Sequence, residues 1–309
     1  MVALLIWIIV FIASLLVLIK ASDYFTDSAE IIGLHFGMSE FLVGVTIVAL
    51  GTSIPELATS IVSIFKGASE IVIGNVIGSN IANVLLILGI CAIIYGKLII
   101  ETDIKTLTKY LLAISAILLF IATLGGIINT WKACVLLGLY ILYVIHIVYT
   151  HNDVNKATRP HLNWKPVVIL LASTVFIYFS AEYVIRSVIG ISEILGLGKE
   201  VIAASAVAFG TSLPELTVSL TAVKKKKFDM AVGNIIGSNL FNTLVVIGIP
   251  GLFASLTVTA VMGTLGIGVM LLATVILLVF MYNKKISRLE GIIMVILYLL
   301  FIAKLFGAF

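Results

Sequence analysis

Apolar runs of about 20 residues recur along the whole chain, separated by short polar connectors. A helix of that length crosses the hydrocarbon core of a bilayer, which is about 30 Å thick. The pattern therefore predicts an all-α polytopic membrane protein with ten transmembrane helices. The predicted spans lie near residues 2–21, 41–65, 71–95, 107–124, 132–150, 166–186, 200–223, 229–253, 257–282 and 289–308.

The composition supports a membrane protein. Of the 309 residues, 61% are hydrophobic and only 11% are charged. A soluble protein of this composition would have too little polar surface to stay dispersed in water. The lipid bilayer is therefore the expected surrounding, and we expect a monomer, with an oligomer as the alternative.

The basic residues are unevenly distributed between the two sets of predicted loops. If the N-terminus lies outside the cell, the inner loops hold 14 lysines and arginines and the outer loops hold 5. Because cytoplasmic loops are enriched in these residues, we expect both termini to be extracellular in the cell membrane. The lysine run at 224–227 then lies in an inner loop, so the net charge of +4 requires no nucleic-acid partner.

The most polar connector divides the chain into two halves of five spans each. We expect residues 1–150 to form a first five-helix repeat, 151–165 a cytoplasmic connector, and 166–309 a second five-helix repeat. Because five is odd, the second half enters the membrane in the opposite orientation. Secondary transporters commonly use such inverted-topology repeats, and they bind substrate between the repeats near the middle of the membrane.

Two polar strings inside the apolar runs occur twice, once in each half of the chain and with the same offset. The string GTSIPEL at 51–57 recurs as GTSLPEL at 210–216, and GNVIGSN at 74–80 recurs as GNIIGSN at 233–239. The wider segments 43–90 and 202–249 share 20 identical residues in 48 aligned positions without a gap. Glutamates at equivalent places in two apolar segments indicate a shared function.

The proline in each string predicts a broken helix. Pro55 has no N–H to donate to the carbonyl of Gly51, and its ring presses against that carbonyl. Broken helices are tolerated at membrane depth where the freed backbone is buried in protein or lines an aqueous cavity. The break therefore exposes carbonyls beside Glu56, and Pro214 does the same beside Glu215.

The groups that the repeated strings bring to these breaks are hard oxygen donors. Such donors suit Ca²⁺ or Na⁺ and argue against zinc or copper. No lysine or arginine lies in the apolar interior of these spans, and a charge at mid-bilayer costs about 2.5–3.5 kcal/mol. A mobile cation is therefore a better partner than a structural salt bridge at a kink. The candidate donors are Glu56, Glu215, Thr52, Thr211, Ser53, Ser212, Ser79, Ser238, Asn83 and Asn242.

The glycines of the second string recur at four-residue spacing, in 74–78 and 233–237. This spacing is typical of tightly packed membrane helices, so we interpret it mainly as a packing feature. Access of a ligand to the backbone is the second interpretation.

These two strings, each present twice, resemble the alpha repeats of the sodium/calcium exchanger branch of the cation/calcium antiporter superfamily, in its prokaryotic form. The resemblance covers essentially the whole chain, including ten spans and a short central connector. It implies a secondary active antiporter that exports Ca²⁺ in exchange for Na⁺ by alternating access, with no enzymatic activity and no cofactor. It also implies that the first and sixth spans slide against the other eight.

The resemblance implies a role for each motif residue. Glu56 and Glu215 would bind Ca²⁺ together with the carbonyls of Thr52 and Thr211. Flanking Na⁺ sites would be lined by Ser53, Ser79, Ser212 and Ser238 and by the carbonyls of Ala49 and Ala208, with Asn83 and Asn242 completing the centre.

One departure concerns the charge of the centre. Some relatives, notably potassium-dependent exchangers, carry aspartate where Asn242 stands, whereas this chain has asparagine at both central positions. The centre then holds at most two negative charges, which balance one Ca²⁺ or two monovalent ions and weaken the case for K⁺ co-transport. The proton/calcium branch usually shows Gly-Asn before its glutamate, so Gly-Thr-Ser favours sodium.

Other functions remain open at this point. The same two glutamates could bind protons in alternation, which gives an H⁺/Ca²⁺ antiporter. A passive cation channel is less compatible with an inverted repeat. An intramembrane hydrolase is the remote alternative, because its serine would need a partnered base and the histidines lie far from the serine motifs in sequence. These histidines are His35, His146, His151 and His161.

Overall fold

The computed structural model describes residues 2–65, 67–101, 106–150, 163–194, 211–305 and 307. Most of these residues are helical. The α-helices are α1 Val2–His35, α2 Glu40–Val43, α3 Ala49–Thr52, α4 Ile54–Phe65, α5 Ser69–Ile81, α6 Gly89–Tyr95, α7 Thr106–Thr123, α8 Thr130–Thr150, α9 Trp164–Ile194, α10 Leu213–Lys224, α11 Phe228–Phe241, α12 Gly248–Phe253, α13 Ile267–Asn283 and α14 Arg288–Leu305.

Several of these helices are joined end to end by π-helical turns, which are wider than α-helical ones. The π-helical segments of the described chain are Gly44–Val48, Ala82–Leu88, Asn242–Val246 and Met262–Gly266. Two of them contain Asn83 and Asn242, which the sequence placed at the centre of the site. The pair Ala82–Leu88 and Asn242–Val246 occupies equivalent places in the two halves of the chain.

Seven of the described helical segments are long and apolar enough to cross a membrane. They are Ala3–His35, Glu40–Phe65, Ser69–Tyr95, Thr130–Ile147, Trp164–Val184, Phe228–Phe253 and Met262–Asn283. A shorter apolar helix covers Leu112–Thr123. The expected class, an all-helical polytopic membrane protein, is confirmed at this level.

The motif helices occupy the centre of the bundle. In the most apolar windows of Ser69–Tyr95 and Phe228–Phe253, 78% and 89% of the residues are buried, against 6% in Ala3–His35. The apolar side chains of α1 are therefore mostly exposed, as expected for a helix that faces lipid, whereas the helices that carry the repeated strings are surrounded by protein. Helix α1 packs along α9, and it also contacts α10.

Helix α11 lies unusually close to the segment that begins at Glu40. A Cβ atom added to Gly233 would lie 2.4 Å from the carbonyl oxygen of Phe41, and one added to Gly237 would lie 2.3 Å from that of Val45. Only glycine permits this approach of two backbones. The packing interpretation of the glycine spacing is therefore confirmed for residues 233–237.

Helix α1 is longer than its apolar run, which ends near residue 21. Its polar continuation to His35 is held by ion pairs with the turn between α10 and α11. The Nζ of Lys225 donates to Asp27 Oδ1 at 2.7 Å, and Lys227 pairs with Glu30. The hydropathy pattern predicts only where the apolar side chains end. The ion pairs stabilise the helix beyond that point. Helix α9 likewise continues to Ile194 beyond the predicted end at 186.

Two short antiparallel strand pairs were not expected from the sequence. Strand β1 (Lys97–Ile99) pairs with β4 (Lys285–Ser287), and β2 (Ile127–Ile128) pairs with β3 (Leu256–Thr257). Each pair joins a loop of the first half to a loop of the second half. The pairs satisfy the backbone groups of these loops without changing the helical class.

Candidate cation site

The first predicted helix break is present in the described residues, and the equivalent serine of the second string has the same backbone conformation. Ser53 stands between α3 and α4 with φ −91° and ψ 6°, and Ser212 precedes α10 with φ −90° and ψ 3°. Pro55 and Pro214 each follow in the first turn of the next helix. The expected interruption is therefore met at Pro55, whereas the residues before Thr211, which would show it for the second string, lie outside the described residues.

The two glutamates lie one residue beyond the prolines, and the fold brings them together. Glu56 and Glu215 are each fully buried and close enough to repel one another electrostatically. Ser53 Oγ donates to Glu215 Oε1 at 3.0 Å. The hydroxyl of Thr211 faces Glu56, together with that of Ser79. Glu215 thus accepts a hydrogen bond from the other half of the chain, and one of the hydroxyls that face Glu56 also comes from the other half.

Two equivalent hydrogen-bond chains support the breaks. Thr52 Oγ1 donates to Asn234 Oδ1 at 3.2 Å, and Asn234 Nδ2 donates to Ser219 Oγ at 3.0 Å. In the other copy, Thr211 Oγ1 donates to Asn75 Oδ1 at 3.2 Å.

In the second copy too, the side-chain nitrogen of the asparagine approaches a serine hydroxyl, and here it also approaches a backbone carbonyl. Asn75 Nδ2 lies 3.4 Å from Ser60 Oγ and 3.4 Å from the carbonyl of Glu56. Asn75 and Asn234 stand within the repeated strings, but they are not among the donors predicted from the sequence. Their recurrence in both copies was the signal that could have found them.

The remaining expected donors also lie in this region. Asn83 and Asn242 are fully buried, Ser79 and Thr211 approach to 3.4 Å, and Ser238 Oγ lies 3.5 Å from Asn234 Oδ1. The carbonyl of Ala49 already accepts from the N–H of Ser53 and from the Thr52 hydroxyl. Ala208, the other expected carbonyl donor, lies outside the described residues.

Several buried polar atoms of the site have no hydrogen-bond partner in the part of the chain that the structure describes. A buried polar atom without a partner costs about 1–3 kcal/mol, so such atoms are rare in native proteins. Their concentration here indicates a place built for a polar or charged ligand. The atoms are Glu56 Oε1 and Oε2, Glu215 Oε2, Ser212 Oγ, Asn80 Oδ1, Asn83 Oδ1, and Asn242 Oδ1 and Nδ2.

The donor set fits a hard cation. It combines two carboxylates with hydroxyl, amide and carbonyl oxygens, which is the chemistry that Ca²⁺ and Na⁺ prefer. In the part of the chain that the structure describes, no cluster of three or more histidine, cysteine, aspartate or glutamate side chains is present. No ion pair of the described residues involves Glu56 or Glu215. Among the described residues, therefore, no basic side chain neutralises either carboxylate.

A cavity of about 200 Å³ adjoins the site beside Thr211. The two prolines, Pro55 and Pro214, form one part of its wall, and Tyr178 and Glu182 of α9 form another. Helix α9 therefore forms part of the wall of a cavity that lies next to the two prolines.

Comparison with known proteins gives consistent results. The family model described as "Sodium/calcium exchanger protein" matches residues 6–149 and 165–307. The sodium/calcium exchanger MaX1 of Methanosarcina acetivorans is 33% identical, and the alignment covers 96% of this chain and 98% of that protein. The uncharacterized membrane protein MJ0091 of Methanocaldococcus jannaschii is 34% identical, with 96% of each chain covered.

A solved structure agrees with these sequence matches. The sodium-calcium exchanger NCX_Mj, soaked with zero Na⁺ and Ca²⁺, superposes with a TM-score of 0.86 at 31% identity. The superposition covers 98% of this chain and 99% of that one.

Proposed function

Because the chain belongs to the sodium/calcium exchanger family, we propose that it exports Ca²⁺ in exchange for Na⁺ as a secondary active antiporter. The observation that carries the proposal is the meeting of Glu56 and Glu215, fully buried and without a basic partner among the described residues. Two carboxylates balance either one Ca²⁺ or two Na⁺. The two ions therefore compete for the same charge, which couples the entry of one to the exit of the other.

We assign the ligands by chemistry and position. Ca²⁺ binds Glu56 and Glu215 with the carbonyls of Thr52 and Thr211. The flanking Na⁺ ions use the hydroxyls of the four serines and the carbonyls of the two alanines, with the two asparagines at the centre. These residues are Ser53, Ser79, Ser212, Ser238, Ala49, Ala208, Asn83 and Asn242.

We propose that the chain forms ten transmembrane helices in two inverted five-helix repeats. Each repeat then contributes one half of the site. The alignment that places Gly51 on Gly210 also carries β1 onto the position of β3, and β2 onto the position of β4. The β1–β4 pair and the β2–β3 pair thus exchange places when the halves are exchanged. The excess of basic residues in the predicted inner loops supports extracellular termini for this arrangement.

Alternating access then requires part of the bundle to move past the site. Helices α1 and α9 pack along each other, and α9 borders the cavity beside Thr211. We propose that this pair slides against the remaining helices, which opens the path to one side of the membrane and closes it to the other.

The test uses the purified protein in proteoliposomes with radioactive Ca²⁺ outside. Vesicles loaded with Na⁺ at equal internal and external pH are compared with Na⁺-free vesicles that carry a pH gradient. We expect uptake only with Na⁺ inside. Uptake only under the pH gradient would identify the proton-driven alternative instead, and uptake without either gradient would indicate a channel.

Two variants locate the site. Glu56→Gln and Glu215→Gln each remove one of two charges and should abolish Ca²⁺ exchange without unfolding, because each removes a buried charge. Glu70→Gln is the matched control, since Glu70 is an exposed glutamate at the start of α5. Wild-type transport in either buried variant would remove that residue from the site.

A further inference from the structure

Asn80 and Asn239 occupy equivalent positions in the two halves and hold each other. The Nδ2 of Asn80 lies 3.5 Å from the carbonyl oxygen of Asn239, and the Nδ2 of Asn239 lies 3.3 Å from that of Asn80. Both side chains are buried. This reciprocal pair lies beside Asn83 and Asn242. In a symmetric arrangement, each amide of the pair would accept a hydrogen bond from one of these two central asparagines.

Only one of these two hydrogen bonds is present among the described residues. Asn83 Nδ2 donates to Asn239 Oδ1 at 3.0 Å, which fixes the amide of Asn83. The equivalent bond would run from Asn242 Nδ2 to Asn80 Oδ1, yet both of these atoms are buried without a hydrogen-bond partner among the described residues. One central amide is therefore held and the other is not.

Differences between the copies around Asn80 account for this, because Thr243 and Met270 stand where the first half has Val84 and Leu111. Asn80 Nδ2 donates to Thr243 Oγ1 at 2.8 Å and also contacts Met270 Sδ at 3.9 Å. The residue equivalent to Thr243 in the first half is Val84, which has no hydroxyl. Thr243 thus orients the amide of Asn80, whereas Asn239 has no corresponding hydroxyl from Val84 and accepts from Asn83.

We propose that Thr243 is a positioning residue that leaves Asn242 free to turn while Asn83 stays fixed. The inference rests on the proposed exchange function, because it assigns different parts to two ligands of the same site. Asn83 then presents its oxygen at one place for every ion. Asn242 can offer its oxygen when Ca²⁺, which takes about six to eight oxygens, is bound, and withdraw it when the ion leaves.

The consequence concerns the balance between holding and releasing Ca²⁺. An amide that is already held loses no rotational freedom on binding, a saving of about 0.5–1.5 kcal/mol for one side chain. Freeing Asn80 from Thr243 would let its Oδ1 accept from Asn242 and fix that amide too. Thr243→Val should therefore tighten Ca²⁺ binding about 2- to 12-fold and slow its release by a similar factor.

The experiment measures Ca²⁺ binding by calorimetry in Na⁺-free buffer, and the KM and kcat of Na⁺-driven uptake in proteoliposomes. Thr243→Val should lower KM and kcat together. Thr243→Ser keeps the hydroxyl and should behave as wild type. Val84→Thr places a hydroxyl acceptor for Asn239 Nδ2, as Thr243 does for Asn80. It should turn the amide of Asn239 away from Asn83 and so weaken Ca²⁺ binding about 2- to 12-fold.

The outcomes separate this inference from the proposed function. If wild-type protein binds no Ca²⁺, the proposed function fails, and this inference fails with it. If wild type binds Ca²⁺ but Thr243→Val and Val84→Thr both match it, only the positioning role is overturned. A Thr243→Ser variant that behaves like Thr243→Val also overturns it, since the hydroxyl would then be irrelevant. Should Thr243→Val fail to fold, Val84→Thr and Thr243→Ser still decide the question.

Discussion

Replacing Gly237 with alanine tests whether the close approach of α11 sets the geometry of the cation site. The new Cβ atom would lie 2.3 Å from the carbonyl oxygen of Val45 and 2.6 Å from the Cβ of Ala49. Carbon and oxygen atoms in close contact are normally about 3.3–3.6 Å apart, so one helix must move by about 1 Å. Because the obstacle includes backbone, no side-chain rotation can absorb this shift.

The displacement has two energetic consequences. Overpacking of this kind costs about 1–3 kcal/mol, and the better helix propensity of alanine offsets at most about 1 kcal/mol of it. The moved segment also carries Thr52, whose hydroxyl lies 3.2 Å from Asn234 on α11. A shift of about 1 Å breaks that bond and displaces the Thr52 and Ala49 carbonyls, and a misplacement of this size can lower activity about 100-fold.

The assay records thermal unfolding of the detergent-solubilised protein with and without Ca²⁺, and Na⁺-driven uptake in proteoliposomes. Gly237→Ala should unfold at a lower temperature and lose most of its uptake. Gly268→Ala in α13 is the control, because a Cβ atom there meets open space and should be neutral or slightly stabilising. A Gly237→Ala variant with wild-type unfolding and wild-type uptake would refute the argument that this helix contact positions the site.

Two further predictions concern contacts away from the ions. Lys225→Ala and Lys227→Ala should each lower the free energy of unfolding by about 1 kcal/mol or less, because their ion pairs are partly exposed, and the loss should shrink as KCl is added. An equal loss at all KCl concentrations would contradict an electrostatic role. Ser219→Ala removes the hydrogen bond from Asn234 Nδ2 and should cost about 1–3 kcal/mol. Ser60→Ala should cost less, because Asn75 Nδ2 keeps the carbonyl of Glu56 as an acceptor. An equal or larger loss of thermal stability in Ser60→Ala would contradict this reasoning.

The helix breaks were predictable from the sequence because proline acts on its own backbone. Pro55 and Pro214 lack an N–H wherever they stand, so the interruption beside each glutamate follows from local chemistry. The apolar runs likewise predicted membrane helices, because a run of this length is dictated by bilayer thickness. These features depend on residues close to each other in the chain.

The features that the sequence did not reveal depend on the other half of the chain. The recurrence of Asn75 and Asn234 marks them in the sequence, but it does not reveal their threonine partners, which lie 136 and 182 residues away. The continuation of α1 to His35 depends on lysines that lie far along the chain, in the turn after α10. The strand pairs are too short for alternation of side chains to mark them.

The ion pairs between α1 and the turn after α10 make the two ends of the molecule unequal. The alignment of the two halves places Arg186 and Ile189 at the positions of Asp27 and Glu30, so neither acidic residue recurs at the corresponding end of α9. If α1 slides as proposed, these bonds stabilise one resting position and not its mirror position. A difference of about 1 kcal/mol changes the ratio of the two populations about fivefold. The site would then be open mostly to one side of the membrane between transport cycles, although the two halves of the chain carry the same motifs.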